Sequence, residues 1–505
     1  MAYTSHRGDS VSIREFVQKH PLPVFMLAAC IWVLAFQGSR GLLEPDEGRY
    51  SNVALQILQH DDWISLYRNQ DSLHFTKPPL TYWAIAASVS VFGHNEWAVR
   101  LPMALAFLFS VWLTYQLGKC FVPKRPWLPA LFLLGAPVPY LASNTVNTDG
   151  VLAAMLTLAM ACFVKARFAG GGPRWLDAMW LAFGLAFLTK GPPALLPVAV
   201  VVVFELWHRN ARSLLRPLGL AAFAAVGFTW YGLVIARHPG LLDYFLGHEV
   251  YARIATDTHA RNSEWYGAFK IYVPVFLLGL LPWLAVWAKQ KLTGMPAPAP
   301  LPLMQSRFLW LWLLLPLAIF FLSKSRMYLY VLGLFVPACI LLARRLQDWR
   351  IGPGAQIGIA LWLLLLLGIK GVAPVLLKDN GKDSRSFADA IMPFLPGHPN
   401  QIIFVDDMSR NGLNLYLRTN IKKVSFEAQP KPISDSAYDS SLAQELAQPA
   451  DQRLFIMKRE TEAAFLDGVQ KSDRTPLKLG EWIEKKSPGG RDRMIYTLEH
   501  EFAPH

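Results

Sequence analysis

The chain has 505 residues, 53% of them hydrophobic and 13% aromatic, with a mean hydropathy of +0.27. That balance excludes a disordered or purely peripheral protein and points to a polytopic membrane protein. The formal net charge of +13 does not call for nucleic acid as a partner, because much of the excess falls in loops that the positive-inside rule assigns to the cytoplasm.

The first apolar run, 21–38, follows Arg14 and Lys19 and precedes no small-residue cleavage site, so it reads as an uncleaved anchor. A large outer loop, 39–97, comes next and opens on "LLEPDEGRY" (42–50), which places Glu44, Asp46, Glu47 and Arg49 at the exit from the membrane. Within it, 49–60 puts Tyr50, Val53, Ala54, Ile57 and Leu58 on one helical face and Arg49, Asn52, Gln56 and Gln59 opposite. This is the pattern of an amphipathic helix on a membrane surface. The run "PPLTYWAIAASVSVFG" (78–93) is short for a span and reads as a second interfacial helix. With it lying flat, the basic loops "GKCFVPKRPW", "KARFAGGGPRW", "HRNARSLLRP", "AKQK" and "ARRLQDWR" all face inward.

The further spans are 98–118, 127–144, 149–167, 175–190, 191–207, 215–236, 268–288, 306–323, 327–343 and 355–373, eleven with the first, within an expected range of about 11–13. Residues 1–376 thus form a membrane domain with outer loops at 39–97 and 237–267. Residues 377–505 turn polar, and the strand-like runs "QIIFVDD", "RLFIMKR" and "RMIYTLE" predict a small α/β domain on the outer side. Cys30, Cys120, Cys162 and Cys339 are widely spaced in or beside apolar segments and read as packing residues.

This topology collects polar groups on the outer face. The first loop brings Asp46, Glu47, Arg49, His74 and Lys77; "NTDG" brings Asp149, "LTKGPP" Lys190, and "LSKSRMYLY" Lys324 and Arg326. The second outer loop carries "GHEVYARIATDTHAR", with His248 and Arg253. Each also has a purely structural reading: a lysine at a helix end snorkels to the headgroups, Asp149 caps its helix, Glu44 is a solvated loop charge, and His248 with Arg253 makes a loop hydrogen bond. As a set they suit a substrate whose leaving group is a phosphate at the bilayer edge. Lysine and arginine hold phosphate through charge-assisted hydrogen bonds, and a carboxylate accepts the proton of an attacking hydroxyl or amine.

The order "PDEGRY", "DDW", "HFTKPPLTYW", "FGHNEWAVRLP", "NTDG", "LTKGP" and "SKSRMYLY" resembles the lipid A aminoarabinose transferases and related bacterial glycosyltransferases of the protein O-mannosyltransferase type. The resemblance covers most of residues 20–345. It implies a GT-C fold and inverting transfer of a sugar from a polyprenyl (undecaprenyl) phosphate donor to a lipid A-type glycolipid, at the periplasmic face of the inner membrane. By motif, Asp46 matches the principal acid, with Glu47 beside it, and Asp149 matches a second loop-edge carboxylate. Arg49 and Tyr50 match residues lining the cavity, with Tyr82 of "TYW" joining them, and Lys77 matches a lysine on the donor phosphate. Arg253 resembles a phosphate-binding arginine and His248 a metal-binding histidine, while Lys190, Lys324 and Arg326 are further phosphate-binding candidates. In aminoarabinose transferases a glutamate precedes the lysine and shares zinc with the histidine. Thr76 stands there in this chain, so no cofactor is fixed and a divalent metal stays open. Two other readings are a flippase for a lipid-linked saccharide and a glycosyltransferase with a protein acceptor. Charges gathered on one face, with no internal repeat, speak against transport.

Overall fold

The computed structural model describes residues 21–251, 261–294, 296, 298–378, 381–430, 432–434, 436–483 and 492–502. In chain order, α1 is Pro21–Leu34, α2 Asp46–His60, α3 Leu80–Phe92 and α4 Glu96–Phe121; α5 is Trp127–Leu134, α6 Pro137–Ala142, α7 Thr148–Phe168 and α8 Arg174–Lys190. A 3-10 turn at Pro192–Leu195 leads into α9, Leu196–Trp207; α10 is Pro217–Arg237, α11 Gly267–Leu292 and α12 Leu303–Leu322. A 3-10 stretch, Tyr328–Leu334, runs into α13, Phe335–Arg345, and α14 is Pro353–Leu377.

Among the described residues seven helices are long and apolar enough to cross a membrane: α4, α7, α10, α11, α12, Tyr328–Arg345 and α14. They coincide with seven of the eleven expected spans, and the other four are shorter or broken. The expected 127–144 span divides into α5 and α6 at Gly135-Ala136-Pro137, since proline lacks the N–H for an interior helical bond. Helix α1 ends at Leu34 rather than Gly38, and 191–207 begins as a 3-10 turn around Pro192 and Pro193. Helix α3 has 13 residues, about 20 Å at 1.5 Å per residue against a hydrocarbon core of about 30 Å.

The loops read as inward do meet one another. Lys124 pairs with Asp348 at 2.7 Å, Arg167 with Glu205 at 3.0 Å and Arg216 with Asp177 at 2.7 Å.

After α14 the chain forms a six-stranded sheet in the order β3-β2-β1-β4-β6-β5. Its strands are β1 Gln401–Val405, β2 Asn420–Ser425, β3 Ser440–Ser441, β4 Arg453–Lys458, β5 Pro476–Trp482 and β6 Arg493–Leu498. The first four are parallel, whereas β6 pairs antiparallel with β4 and β5. The three expected strands are β1, β4 and β6. Their inner positions are fully buried on both faces: Ile403, Val405 and Phe455 face Phe465, while Ile402, Phe404 and Leu454 face Phe387 and Leu413.

This domain is built onto the first outer loop. Glu44 N donates to Lys382 O at 2.9 Å, Ser384 N to Leu42 O at 2.9 Å and Leu42 N to the Tyr416 hydroxyl at 3.0 Å. Arg68 pairs with Asp439 at 2.5 Å and Arg385 with Glu96 at 2.5 Å. Helix α2 is therefore not a surface helix with a wet polar face. Asn52 and Gln56 are fully buried, and Asn414 Nδ2 donates to Asn52 Oδ1 at 2.8 Å while Gln59 Nε2 donates to Asn414 Oδ1 at 3.1 Å. Asn52 and Gln59 thus meet the C-terminal domain through Asn414, whereas the buried Gln56 amide has no hydrogen-bond partner among the described residues.

Candidate active site

The "PDEGRY" loop enters α2 with its acids in the first turn, where the helix dipole favours negative charge. The three acids have three different surroundings. Asp46 is the accessible one, its side chain 51% exposed, and it accepts from Arg49 Nη2 at 2.7 Å one helical turn on.

Glu47, the second acid expected in the catalytic set, is clamped by two guanidiniums and two backbone N–H groups. Arg40 donates to it at 2.5 and 3.1 Å and Arg100 at 3.1 and 3.2 Å, while the Leu43 and Val146 N–H groups each donate at 2.9 Å. Burial disfavours its charge, but the guanidiniums of Arg100 and Arg40 outweigh that and hold its carboxyl at about 2. With its lone pairs saturated, Glu47 has no capacity to take a proton. Arg40 Nη2 also donates to Asn144 O at 2.7 Å, so the clamp fixes the first outer loop against the turn that precedes Asp149.

Glu44, read as a solvated charge, is buried. Ser384 Oγ and Gly412 N donate to Oε1 at 2.8 and 2.6 Å, and Oε2 has no partner among the described residues. Burial, only partly offset by those donors and by Arg410 and Arg49, raises its carboxyl to about 7. Gly48 of the motif is needed here, since a Cβ at this position would lie 2.1 Å from Glu44 Oε1.

A second carboxylate comes from α7. The helix is capped by Asn147, whose Oδ1 accepts from Gly150 N at 2.7 Å, so Asp149 is not the cap. It accepts from Lys190 Nζ at 2.5 Å, and the two side chains are 13% and 9% exposed. Lys190 Nζ also lies 4.4 Å from the centre of the Tyr330 ring, a cation–π arrangement. Tyr50 joins the two centres: Asp46, Arg49, Asp149 and Lys190 all act on its hydroxyl, which burial pushes above its ordinary pKa. Asp46 and Asp149 also act electrostatically on Tyr328.

On the other side of Tyr50 the wall continues through Tyr82, fully buried, with ring centres 6.0 Å from Tyr50 and 6.3 Å from His74. Lys77 Nζ donates to Thr76 O at 2.7 Å. The residues brought together are thus Asp46, Arg49, Tyr50, Lys77, Tyr82, Asp149 and Lys190. Tyr328 and Tyr330, which the sequence reading passed over, close the cluster; their signal was "RMYLY" directly behind an apolar run.

Arg326, one of the expected phosphate-binding residues, donates to Asn262 O, Glu264 O and Phe321 O at 2.8, 2.6 and 3.0 Å and is 6% exposed, which anchors the 261–267 segment. Lys324 lies beside it, its backbone carbonyl accepting from Arg261 N. The side chain of His248 and all of Arg253 lie outside the described residues.

Of the metal site that the resemblance implies, only the position before Lys77 lies among the described residues. Thr76 replaces the glutamate, and its hydroxyl lies 2.9 Å from His74 Nε2. Burial, then the charges of Arg49, Arg68 and Lys77, hold His74 well below its ordinary pKa, and three cations around one imidazole oppose a fourth. Among the described residues no group of three or more His, Cys, Asp or Glu could hold a metal.

Fold and site together define a multi-span membrane protein of GT-C architecture in which two carboxylate–cation pairs, Asp46–Arg49 and Asp149–Lys190, lie near Tyr50. Residues 76–259 match the family model described as dolichyl-phosphate-mannose-protein mannosyltransferase. The chain is 32% identical over 375 residues to an undecaprenyl phosphate-alpha-4-amino-4-deoxy-L-arabinose arabinosyl transferase of Aeromonas salmonicida, covering 70% of this chain and 64% of that protein. It is 29% identical over 365 residues to one of Pseudomonas fluorescens, covering 69% and 63%. The matched part is thus just under two thirds of these relatives' own length. The crystal structure of ArnT from Cupriavidus metallidurans bound to undecaprenyl phosphate superposes with a TM-score of 0.73 at 20% identity, covering 96% of this chain and all of that one. The likeness to aminoarabinose transferases read from the motifs therefore holds in sequence and in fold.

Proposed function

We propose that this chain is an inverting glycosyltransferase that moves a sugar from a polyprenyl-phosphate donor to a lipid A-type glycolipid at the periplasmic face of a bacterial inner membrane. The observation that carries this reading is the meeting of two carboxylate–cation pairs, Asp46–Arg49 and Asp149–Lys190, around Tyr50. One pair is accessible and the other nearly buried. The names of the relatives, which specify undecaprenyl phosphate-linked aminoarabinose, support the donor class.

In this reading the acceptor oxygen attacks the anomeric carbon, the bond from that carbon to the phosphate oxygen breaks, and polyprenyl phosphate leaves. Lys77, Arg49 and Lys190 meet the charge that grows on the phosphate, a contribution of several kcal/mol where water is scarce. Asp46, the exposed acid, takes the proton of an acceptor hydroxyl, and Asp149 keeps Lys190 in place. Arg253 and Lys324 belong to the same proposed phosphate set. An acceptor phosphate, already ionised, needs Asp46 only for positioning.

Release of polyprenyl phosphate from the donor by purified protein, with lipid A as acceptor, tests the proposal. Asp46→Asn lowers the rate by at least about 100-fold if a hydroxyl attacks, and by less if a phosphate does. Wild-type rate in folded Asp46→Ala protein overturns the assignment.

A further inference from the structure

Far from the proposed reaction centre, on the face where the inward loops meet, a groove of about 540 Å³ separates the start of α5 from the first half of α14. Trp362 Nε1 donates to Gly135 O at 2.8 Å and holds the two helices together deeper in the membrane. Ile359, Ala360, Leu363 and Trp127 make the apolar walls. At the mouth, Arg125 donates Nη1 to Trp349 O, while its Nε and Nη2 have no partner among the described residues. Gln356 and Ile351 also line the groove. Lys124 is already paired with Asp348, so Arg125 is the cation lining the mouth, with exposed Arg350 next to groove-lining Ile351 in the chain.

We infer that this groove binds one acidic phospholipid of the cytoplasmic leaflet, an acyl chain between α5 and α14 and its phosphate on Arg125 and Arg350. Apolar walls at bilayer depth hold hydrocarbon rather than water. Basic pockets between membrane helices on the cytoplasmic side select anionic headgroups, and a volume of this order suits one bound chain. The inference does not depend on the transfer reaction.

The test uses the full chain in bilayer nanodiscs of phosphatidylethanolamine doped with phosphatidylglycerol, with retained lipid counted by native mass spectrometry. Wild type is expected to retain phosphatidylglycerol over phosphatidylethanolamine. Removing a cation weakens retention by about 5-fold, so Arg125→Gln with Arg350→Gln weakens it by about 25-fold. Because Arg125 also holds Trp349, two variants that leave it in place are decisive alone: Arg350→Gln, and Ala360→Trp, which fills the groove from an exposed position and expels the lipid. Arg209→Gln with Arg212→Gln, an equal charge loss in another inward loop, retains it as wild type does. Unselective retention by wild type, or unchanged retention in Arg350→Gln or in Ala360→Trp, overturns the inference.

Discussion

Replacing Glu47 by Ala removes the acid shared by two buried guanidiniums, those of Arg40 and Arg100. Truncating one partner of a buried pair leaves an uncompensated charge and costs about 3–5 kcal/mol. The depressed carboxyl points to a similar size: held at about 2 rather than 4.5, it is worth about 3 kcal/mol at 1.36 kcal/mol per unit. Because the folded pKa is depressed, this stability is complete above pH 4.5 and disappears only as pH falls through about 2. The deficit of the variant is therefore constant from pH 5 to 9. Asp46, one residue earlier, is half exposed and joined to Arg49 on its own helix, a surface pair worth about 0.2–1 kcal/mol. Tryptophan fluorescence during thermal unfolding in detergent, beside a transfer assay, separates the two. Glu47→Ala lowers the unfolding midpoint sharply, whereas Asp46→Ala keeps the midpoint and loses turnover. A Glu47→Ala protein with wild-type stability and no turnover would refute the clamp and return Glu47 to the chemistry.

Burial holds Glu44 at about 7, so its contribution to stability is full below pH 4.5 and is lost as pH rises through about 7. Glu44→Gln should remove that loss, its midpoint rising relative to wild type between pH 5 and 7.5; parallel curves would show that Glu44 is not buried in solution. For Lys190 and Asp149, either single truncation strands a nearly buried charge, so Lys190→Met with Asp149→Leu is expected to be more stable than either single variant in unfolding experiments. Gly48→Ala drives a Cβ against the Glu44 carboxylate and should cost about 1–3 kcal/mol in the same unfolding measurement. Asp439→Ala frees Arg68 and Ser72, and limited proteolysis should then cut within the C-terminal domain or the first outer loop faster.

The seven long spans were legible because a helix in hydrocarbon must be apolar along about 20 residues, and proline with glycine explains where 127–144 breaks. Strands β1, β4 and β6 were legible as apolar runs. Strand β2, "NIKKVS", was not: its Lys422 is buried only because Asp71 and Glu445 pair with it, and such partners lie far away in sequence. The same limit hid the roles of the acids. Glu44, Asp46 and Glu47 fall within four positions and look alike in sequence. The difference between a buried acid, an exposed one and a clamped one arises from Ser384, Gly412, Arg40 and Arg100. Likewise the polar stripe of α2 has the composition of a wet face, and Asn414, more than 350 residues away, decides that it is an interface.

The central claim is that Asp46 serves a sugar transfer onto an envelope glycolipid. Its most direct test is mass spectrometry of the envelope glycolipids, lipid A included, from cells carrying wild type, Asp46→Asn or an empty vector at matched protein levels. A sugar-sized mass increment that appears with wild type and is absent from the other two is the predicted result, and it identifies sugar class and acceptor together. Identical spectra from all three would contradict the claim for glycolipid acceptors.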